Sequence, residues 1–404
     1  MIFGKEKIEL VAAREILDSR GNPTVEVEIH SQHHKAAASV PSGASTGIYE
    51  ALALRDGDPG RFNGKGVKKS VQAINELVAP KLIGANPLNQ KEIDDLLINL
   101  DGTKNKSKLG ANATLGISLA VARLSSLIVK QPLFRYLNQL ADIKPSRKLP
   151  YLYANLINGG KHAATTLPFQ EYHAIPQTDS LEEALNIIYK IQSELKKTLK
   201  ANIGDEGGFV ANFSDVEEPL KYLQDAAEKS GASKIKFALD VAASSFYENG
   251  SYNLYGQKIT VERLSEIYQK LSEKYPLLSI EDPFYEEEFE EFAKLKSSLA
   301  NTLIVGDDLT TTNPERIQKA VQKNSIGAII IKPNQIGTLS ETLTAMKLSR
   351  DNQIECVVSH RSGETNDDFI ADLALAFGTF GIKAGALQRG ERVAKYNRLL
   401  EITR

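Results

Sequence analysis

The segment Leu277-Leu278-Ser279-Ile280-Glu281 shows the pattern that decides the fold, a short apolar run that ends abruptly in a charged residue. The same pattern recurs between residues 237 and 383. The charged residues that end the six runs are Asp240, Glu281, Asp307, Lys332, His360 and Lys383. After Glu281 the ends lie 26, 25, 28 and 23 residues apart, about one strand plus one helix per step. Buried parallel strands that alternate with helices predict a TIM-type (β/α) barrel, and hence an α/β protein.

The segments between these runs have helical spacing. The apolar residues that share a helix face are Leu264, Ile267 and Leu271 in one segment and Phe289, Phe292 and Leu295 in the next. Apolar residues at intervals of three and four are typical of a helix that packs one face on a core. The spacing therefore predicts the helices that a (β/α) barrel needs.

The first third of the chain has a different rhythm. Val25, Val27 and Ile29 alternate with polar residues, which predicts a half-buried strand. Residues 111–129 form a strongly apolar helical segment. Strands followed by helices favour an α+β domain. With the polar stretch 143–148 as boundary, we predict an N-terminal α+β domain over residues 1–142 and the barrel over residues 143–404.

Composition excludes several classes of protein. The 404 residues carry a net charge of −2, so no strongly basic field is available to hold nucleic acid or an anionic membrane. The single cysteine excludes an intrachain disulfide and a cysteine-rich metal site. The apolar segment Leu115–Val129 is interrupted by Arg123, and no signal-like stretch opens the chain. We therefore expect a cytoplasmic protein without a membrane span or a nucleic-acid partner.

The charged strand ends predict chemistry, because the C-terminal ends of barrel strands converge on one mouth. A single charged residue after a strand is usually a solvated loop residue, but six in register are hard to explain as surface. Asp240, Glu281 and Asp307 would repel one another unless a hard cation lies between them, and oxygen ligands favour Mg²⁺ over Zn²⁺. A lysine near such a cation has its charged form disfavoured, so we expect its pKa to fall toward that of a general base. A metal with a lysine base can remove a proton from carbon next to a carboxylate.

Long local motifs then identify a resemblance. Residues 18–26, 41–47, 204–209, 279–284, 306–310, 332–338 and 359–365 resemble, in order, the signatures of the enolase family. The resemblance covers nearly the whole chain. It implies an enolase, a lyase of glycolysis that reversibly dehydrates 2-phosphoglycerate to phosphoenolpyruvate with two Mg²⁺ ions per active site when substrate is bound.

The resemblance also implies roles for single residues. Asp240, Glu281 and Asp307 would hold the first Mg²⁺, and Ser45 would help to bind the second. Lys332 would remove the C2 proton, and Glu206 would assist departure of the C3 hydroxide with the support of Glu171. The residues expected to contact substrate are His162, Gln170, His360, Arg361, Ser362 and Lys383, of which Arg361 and Ser362 would bind the phosphate.

A homo-oligomer built on dimers is a further implication, with one departure from the family pattern. Enolases commonly place an arginine at the position of Glu401, where it pairs across the dimer with the acid that matches Glu26. We therefore expect that pairing to be altered here, or replaced through Arg398. Four histidines match no motif of the family, and we expect them to be ordinary surface or core residues: His30, His33, His34 and His173.

Two alternatives stay open at this stage. One is another lyase or racemase of the superfamily that acts on a carboxylate substrate, which would not be expected to share Glu206 with Lys332, or Arg361 with Ser362. The other is a non-catalytic binding protein derived from an enolase. Without the family match, Glu206 would be read as an acidic turn and residues 42–47 as a flexible loop.

Overall fold

The computed structural model describes residues 6–43, 47–143, 148–163 and 165–404. The N-terminal part opens with an antiparallel sheet of the strands β1 (Ile8–Leu17), β2 (Pro23–Ser31) and β3 (Lys35–Ser39), in that order. Its helices are α1 (Lys68–Gln72), α2 (Ala79–Leu82), α3 (Gln90–Asp101), α4 (Ala111–Ile128) and α5 (Leu133–Leu140). A 3₁₀ turn lies at Phe62–Gly64, and a π-helical segment, Ala73–Val78, joins α1 to α2. This is the α+β arrangement that the sequence predicts.

The apolar face of the sheet packs on α4. Val25, Val27 and Ile29 are fully buried, as their alternation in the sequence predicts. Gly116 allows the close approach, since a Cβ there would lie 2.7 Å from Cγ2 of Val27. Among the described residues, α4 alone is long and apolar enough to cross a membrane, and 89% of it is buried inside this protein. A helix that is apolar on all sides serves here as the centre of a core.

The rest of the chain builds the barrel and its additions. The strands are β4 (Tyr151–Asn158), β5 (Glu171–Pro176), β6 (Asn202–Ile203), β7 (Phe209–Val210), β8 (Ile235–Asp240), β9 (Tyr247–Glu248), β10 (Ser251–Leu254), β11 (Gln257–Ile259), β12 (Leu277–Glu281), β13 (Leu303–Gly306), β14 (Ala328–Ile331), β15 (Glu355–Ser359) and β16 (Gly381–Lys383). The helices are α6 (Leu181–Leu199), α7 (Glu218–Lys229), α8 (Val261–Lys274), α9 (Phe289–Ser298), α10 (Pro314–Gln322), α11 (Pro333–Ile336), α12 (Leu339–Asp351), α13 (Phe369–Phe377) and α14 (Gly390–Ile402). Short 3₁₀ turns lie at Gly160–His162 and Ala243–Phe246.

Within the described residues, eight strands close the barrel in the order β4-β5-β8-β12-β13-β14-β15-β16, and β16 pairs back with β4. Six of them are the strands that the sequence predicts. The sequence pattern did not predict the first two strands, β4 and β5. For β5 the reason is its direction. β5 runs antiparallel to both neighbours, so its residue at the mouth, Glu171, begins the strand instead of ending it.

The N-terminal part and the barrel are joined by half-buried ion pairs. Arg123 of α4 donates through Nη2 to Oδ1 of Asp367 at 3.0 Å and to Oδ1 of Asp368 at 2.7 Å. Its Nη1 also donates to the carbonyl oxygen of Ala37 in β3 at 2.9 Å. The predicted boundary between residues 142 and 143 falls between α5 and β4. Residues 144–147 of the boundary stretch lie outside the described residues, and the boundary stays a prediction.

The barrel interior is a separate apolar cluster that depends on one glycine. Tyr153 lies in this cluster with Ile175, Val305 and other inward-facing side chains. A Cβ on Gly381 would lie 2.6 Å from Cε2 of the Tyr153 ring, which cannot move away within a closed barrel. Gly381 therefore makes room for a large side chain on the neighbouring strand β4.

We expect Gly381→Ala to lower the free energy of unfolding by about 1–3 kcal/mol, because the added methyl group overpacks the barrel against Tyr153. Gly390→Ala is the matched control, since a Cβ at that position meets no atom within 4 Å. Denaturant unfolding of both variants measures the difference. Equal stability of the two variants would contradict this account of Gly381.

Candidate functional site

The ends of neighbouring strands bring three carboxylates together. β8 and β12 pair in parallel register, which sets Asp240 beside Glu281. The antiparallel β5 sets its first residue, Glu171, beside Asp240. Each of the three residues is exposed by 3% or less. The predicted convergence at one mouth thus places ionisable groups where water cannot screen them.

The ammonium group of Lys383 holds this acidic group together. Its Nζ lies 2.8 and 3.0 Å from the two oxygens of Glu281, 3.1 Å from Oε2 of Glu171 and 3.2 Å from Oδ2 of Asp240. Burial alone would lower the pKa of Lys383, but the three carboxylates outweigh burial and raise its pKa well above the ordinary value. Lys383 is therefore a fixed positive charge at this position.

The ionised forms of Asp240 and Glu281 are still disfavoured in spite of Lys383. Burial, more than any other effect, raises the pKa of Asp240 and of Glu281, and the charges of nearby carboxylates add to the rise against the pull of Lys383. The cavity at the mouth is lined by eight acidic and four basic residues. Oxygen donors in excess of positive charge are the donor set that a hard divalent cation prefers. The residues present therefore fit a magnesium ion.

Lys332 contacts the third predicted ligand, Asp307. Its Nζ donates to Oδ2 of Asp307, whose Oδ1 accepts a hydrogen bond of 3.1 Å from the side-chain amide of Gln335. Burial lowers the pKa of Lys332, but Asp307 outweighs it, so the pKa is raised. This differs from the lowered pKa that the sequence led us to expect, because in this structure the carboxylate lies against the ammonium of Lys332.

Asp282 organises the turn after β13. Its carboxylate accepts the backbone N–H groups of Asp307 at 2.9 Å and of Asp308 at 2.7 Å. Asp282, Asp307 and Asp308 also form one of two groups, among the described residues, whose possible ligand atoms all lie within 4.8 Å of one another.

The second such group is Glu171, Glu206 and His360. The predicted metal ligands Asp240, Glu281 and Asp307 do not form such a group among the described residues. Asp240 and Glu281 contact Lys383, whereas Asp307 contacts Lys332.

Glu206 is buried at the barrel mouth, where it contacts the polar side chains of Asn155 and His360. The side-chain amide of Asn155 donates to its Oε2 at 3.0 Å, and Nε2 of His360 lies 3.3 Å from the same oxygen. Arg392 donates to Nδ1 of His360 at 2.5 Å, so the proton of a neutral ring is on Nε2 and faces Glu206. Burial above all lowers the pKa of His360, and Arg392 lowers it further, although the charge of Glu206 opposes this shift. His360 is therefore a neutral hydrogen-bond donor to Glu206.

Sequence reasoning missed Asn155 and Arg392, and also Glu50. The fork of Arg361 donates from Nη1 to Oε2 of Glu50 at 2.9 Å and from Nη2 to Oε1 at 3.2 Å. Glu50 is 311 positions away in the chain. No local signal announces such a contact, because it exists only once the N-terminal part lies on the barrel mouth.

The remaining predicted residues are placed as follows. Gln170 donates to Oδ2 of Asp240 at 3.4 Å, and Ser362 lines the same cavity, which has a volume of about 270 Å³. Glu206, Lys332 and Arg361 line it as well. Ser45 and the side chain of His162 lie outside the described part of the chain.

Comparison with known proteins gives two matching family profiles. The profile described as "Enolase, N-terminal domain" matches residues 8–137, and the one described as "Enolase, C-terminal TIM barrel domain" matches residues 146–404. Together they span nearly the whole chain.

Curated relatives match over the same length. The chain is 46% identical over 417 residues to "Enolase B" of Dictyostelium discoideum, which covers 98% of this chain and 94% of the relative. It is 47% identical over 411 residues to an "Enolase" of Methanopyrus kandleri, covering 98% of this chain and 95% of the relative. An "Enolase" of Campylobacter jejuni is 47% identical over 405 residues, with 98% and 96% covered.

Proposed function

Since the chain belongs to the enolase family and is a phosphopyruvate hydratase of glycolysis, we propose how its residues divide the dehydration of 2-phosphoglycerate to phosphoenolpyruvate. One observation supports the division above all. Lys332, Glu206 and Arg361 line a single cavity, which Asp240 and Asp307 also line. The proposed base for the C2 proton, the proposed acid for the C3 hydroxyl group and the proposed phosphate-binding guanidinium group therefore face the same cavity.

Mg²⁺ is the proposed cofactor, with two ions per site when substrate is bound. Asp240, Glu281 and Asp307 would hold the first ion, and the resemblance assigns Ser45 to the second. Bound Mg²⁺ supplies the positive charge that stabilises extra negative charge on the substrate carboxylate. Lys383 adds a fixed charge beside the same acids, and we assign it to the carboxylate end of the substrate.

Lys332 is the proposed base. Its neutral amine would take the proton from C2, so the ammonium must first lose a proton to solvent, which its contact with Asp307 opposes. The contact with Asp307 raises the pKa of Lys332, because an opposite charge favours the ammonium form. A cation that shared the carboxylate of Asp307 would weaken this contact and so lower the pKa of Lys332. The raised pKa of Lys332 in this structure is the consequence of an undivided contact.

Glu206 is the proposed acid. Its carboxyl group would give a proton to the C3 hydroxyl group, which then leaves as water. His360 and Asn155 hold one oxygen of Glu206, at 3.3 and 3.0 Å, and so fix the direction of the other. Glu171 would support the departing hydroxyl group from β5.

Arg361 and Ser362 are the proposed phosphate site. A guanidinium group matches phosphate oxygens with two parallel N–H donors. Glu50 holds both donors in this structure, so a bound phosphate would take the place of a carboxylate on the same fork. His162, Gln170 and His360 complete the proposed substrate contacts, and the cytoplasm is the proposed compartment, on the strength of the glycolytic reaction.

The purified protein is expected to convert 2-phosphoglycerate to phosphoenolpyruvate, followed by ultraviolet absorbance, only when Mg²⁺ is present. A chelator should reduce the rate to background and added Mg²⁺ should restore it, because the acid cluster needs a divalent charge to bind substrate. A full rate in the presence of the chelator would contradict the metal assignment, and no rate with Mg²⁺ would contradict the function.

Lys332→Ala is expected to slow exchange of the C2 hydrogen with solvent deuterium by about 10³-fold, since the variant lacks the proposed base. Nuclear magnetic resonance of 2-phosphoglycerate in D₂O measures this exchange. Lys91→Ala is the control, because the side chain of Lys91 is 77% exposed and does not line the cavity. Exchange at the wild-type rate in Lys332→Ala would remove Lys332 from its role.

We further propose a homodimer. Glu26 accepts a hydrogen bond from Nε of Arg14 at 2.7 Å, and Arg398 pairs with Asp372 at 2.7 Å and with Glu401 at 2.9 Å, all within one chain. Glu26 and Arg398 line a surface groove of about 880 Å³, which supports an interface there with altered pairing. Sedimentation at micromolar concentration should give the mass of two or more chains, and the mass of one chain would contradict this proposal.

A further inference from the structure

His173 is a buried polar residue that the reaction scheme above leaves without a role. It lies on β5 two positions after Glu171, and alternate residues of a strand face the same side. Both side chains therefore face the interior of the barrel. His173 is exposed by 1%, and its Nε2 lies 2.8 Å from Oε2 of Glu171.

The short distance shows which ring nitrogen faces Glu171. Two bare lone pairs would repel at 2.8 Å, so one proton belongs to this pair of atoms, on Nε2 or on the carboxyl group. Neither ring nitrogen makes a directed hydrogen bond with a described residue, so the 2.8 Å approach to Glu171 is a close polar contact that is not fully aligned. The polar capacity of the imidazole is thus directed at Glu171.

The surroundings restrict the ring to this position. The Tyr153 ring meets it edge-on, with centroids 5.8 Å apart and planes at 72°. His173 pairs across the sheet with Ala238, whose small side chain leaves space for an imidazole. Below it lies the apolar cluster that includes Ile175, and above it lies the charged mouth. A polar side chain at this boundary is held by packing on one side and by Glu171 on the other.

We propose that His173 is a positioning residue for Glu171. It holds the carboxylate of Glu171 from below, so that Oε2 stays within 3.1 Å of Lys383 and the group keeps its place beside the departing hydroxyl group. The inference rests on the role proposed for Glu171, which concerns loss of the C3 hydroxyl group and not removal of the C2 proton. His173 therefore acts on one half of the reaction.

The test compares those two halves in the intact protein. His173→Met removes the polar contact and keeps an apolar side chain of similar length. We expect formation of phosphoenolpyruvate to fall about 10-fold in kcat with KM changed less than about twofold, because a misplaced carboxylate costs rate more than binding. Exchange of the C2 hydrogen with deuterium should stay near the wild-type rate, since Lys332 is untouched.

A pair of amide variants separates positioning from simple packing. The amide nitrogen of His173→Gln reaches the position of Nε2, whereas that of His173→Asn reaches only the position of Nδ1. We expect Gln to restore most of the rate and Asn to behave like Met. Ile175→Val, one step deeper on the same face of β5, is the control for a general disturbance of the barrel and should keep the wild-type rate.

The outcomes are distinguishable. Equal loss of exchange and dehydration in His173→Met, with no recovery in His173→Gln, would show a structural role only and overturn the proposal, as would a wild-type rate in His173→Met. If His173→Met fails to fold, the contrast between Gln and Asn decides the question alone. Wild-type protein in the same assays tests the proposed function separately, because its inactivity would implicate the reaction and not His173.

Discussion

The mouth of this barrel depends on keeping several buried carboxylates close together. Acids that share a site disfavour each other's ionised form, and burial adds to that cost. Two lysines with different partners offset this cost. Lys383 is shared by Glu171, Asp240 and Glu281, whereas Lys332 lies against Asp307. One ammonium is thus shared by several acids and the other contacts a single acid, and the pKa of both lysines is raised.

The strand pattern predicted much of this from the sequence, because the parallel register of a barrel converts spacing along the chain into proximity at one end. Asp240 beside Glu281 follows directly from that register. The antiparallel strand β5 does not fit this pattern, because its residue at the mouth begins the strand. Glu171 was therefore predicted from the family resemblance alone. The other missed strand, β4, runs parallel to β16 and ends in the uncharged Asn158, so it lacks the charged end by which the sequence pattern was recognised.

Contacts that cross the whole chain lay beyond the reach of local patterns. Arg392, on the last helix, fixes the tautomer of His360, and Asn155, on the first barrel strand, orients Glu206. His173 carried no motif, and its position above the apolar cluster of the barrel gives it a partner that spacing alone did not suggest. In each case the sequence shows an ordinary polar residue, and only the closed barrel brings it to its partner.

Glu50 on Arg361 has a thermodynamic consequence. Glu50 belongs to the N-terminal part, and its carboxylate holds both donors of a guanidinium group that the proposed function assigns to phosphate. Two anions that compete for one cation are coupled with negative sign, and such coupling is reciprocal. If phosphate binds Arg361 as proposed, its binding and the seating of the 47–52 segment on the barrel therefore weaken each other by the same factor.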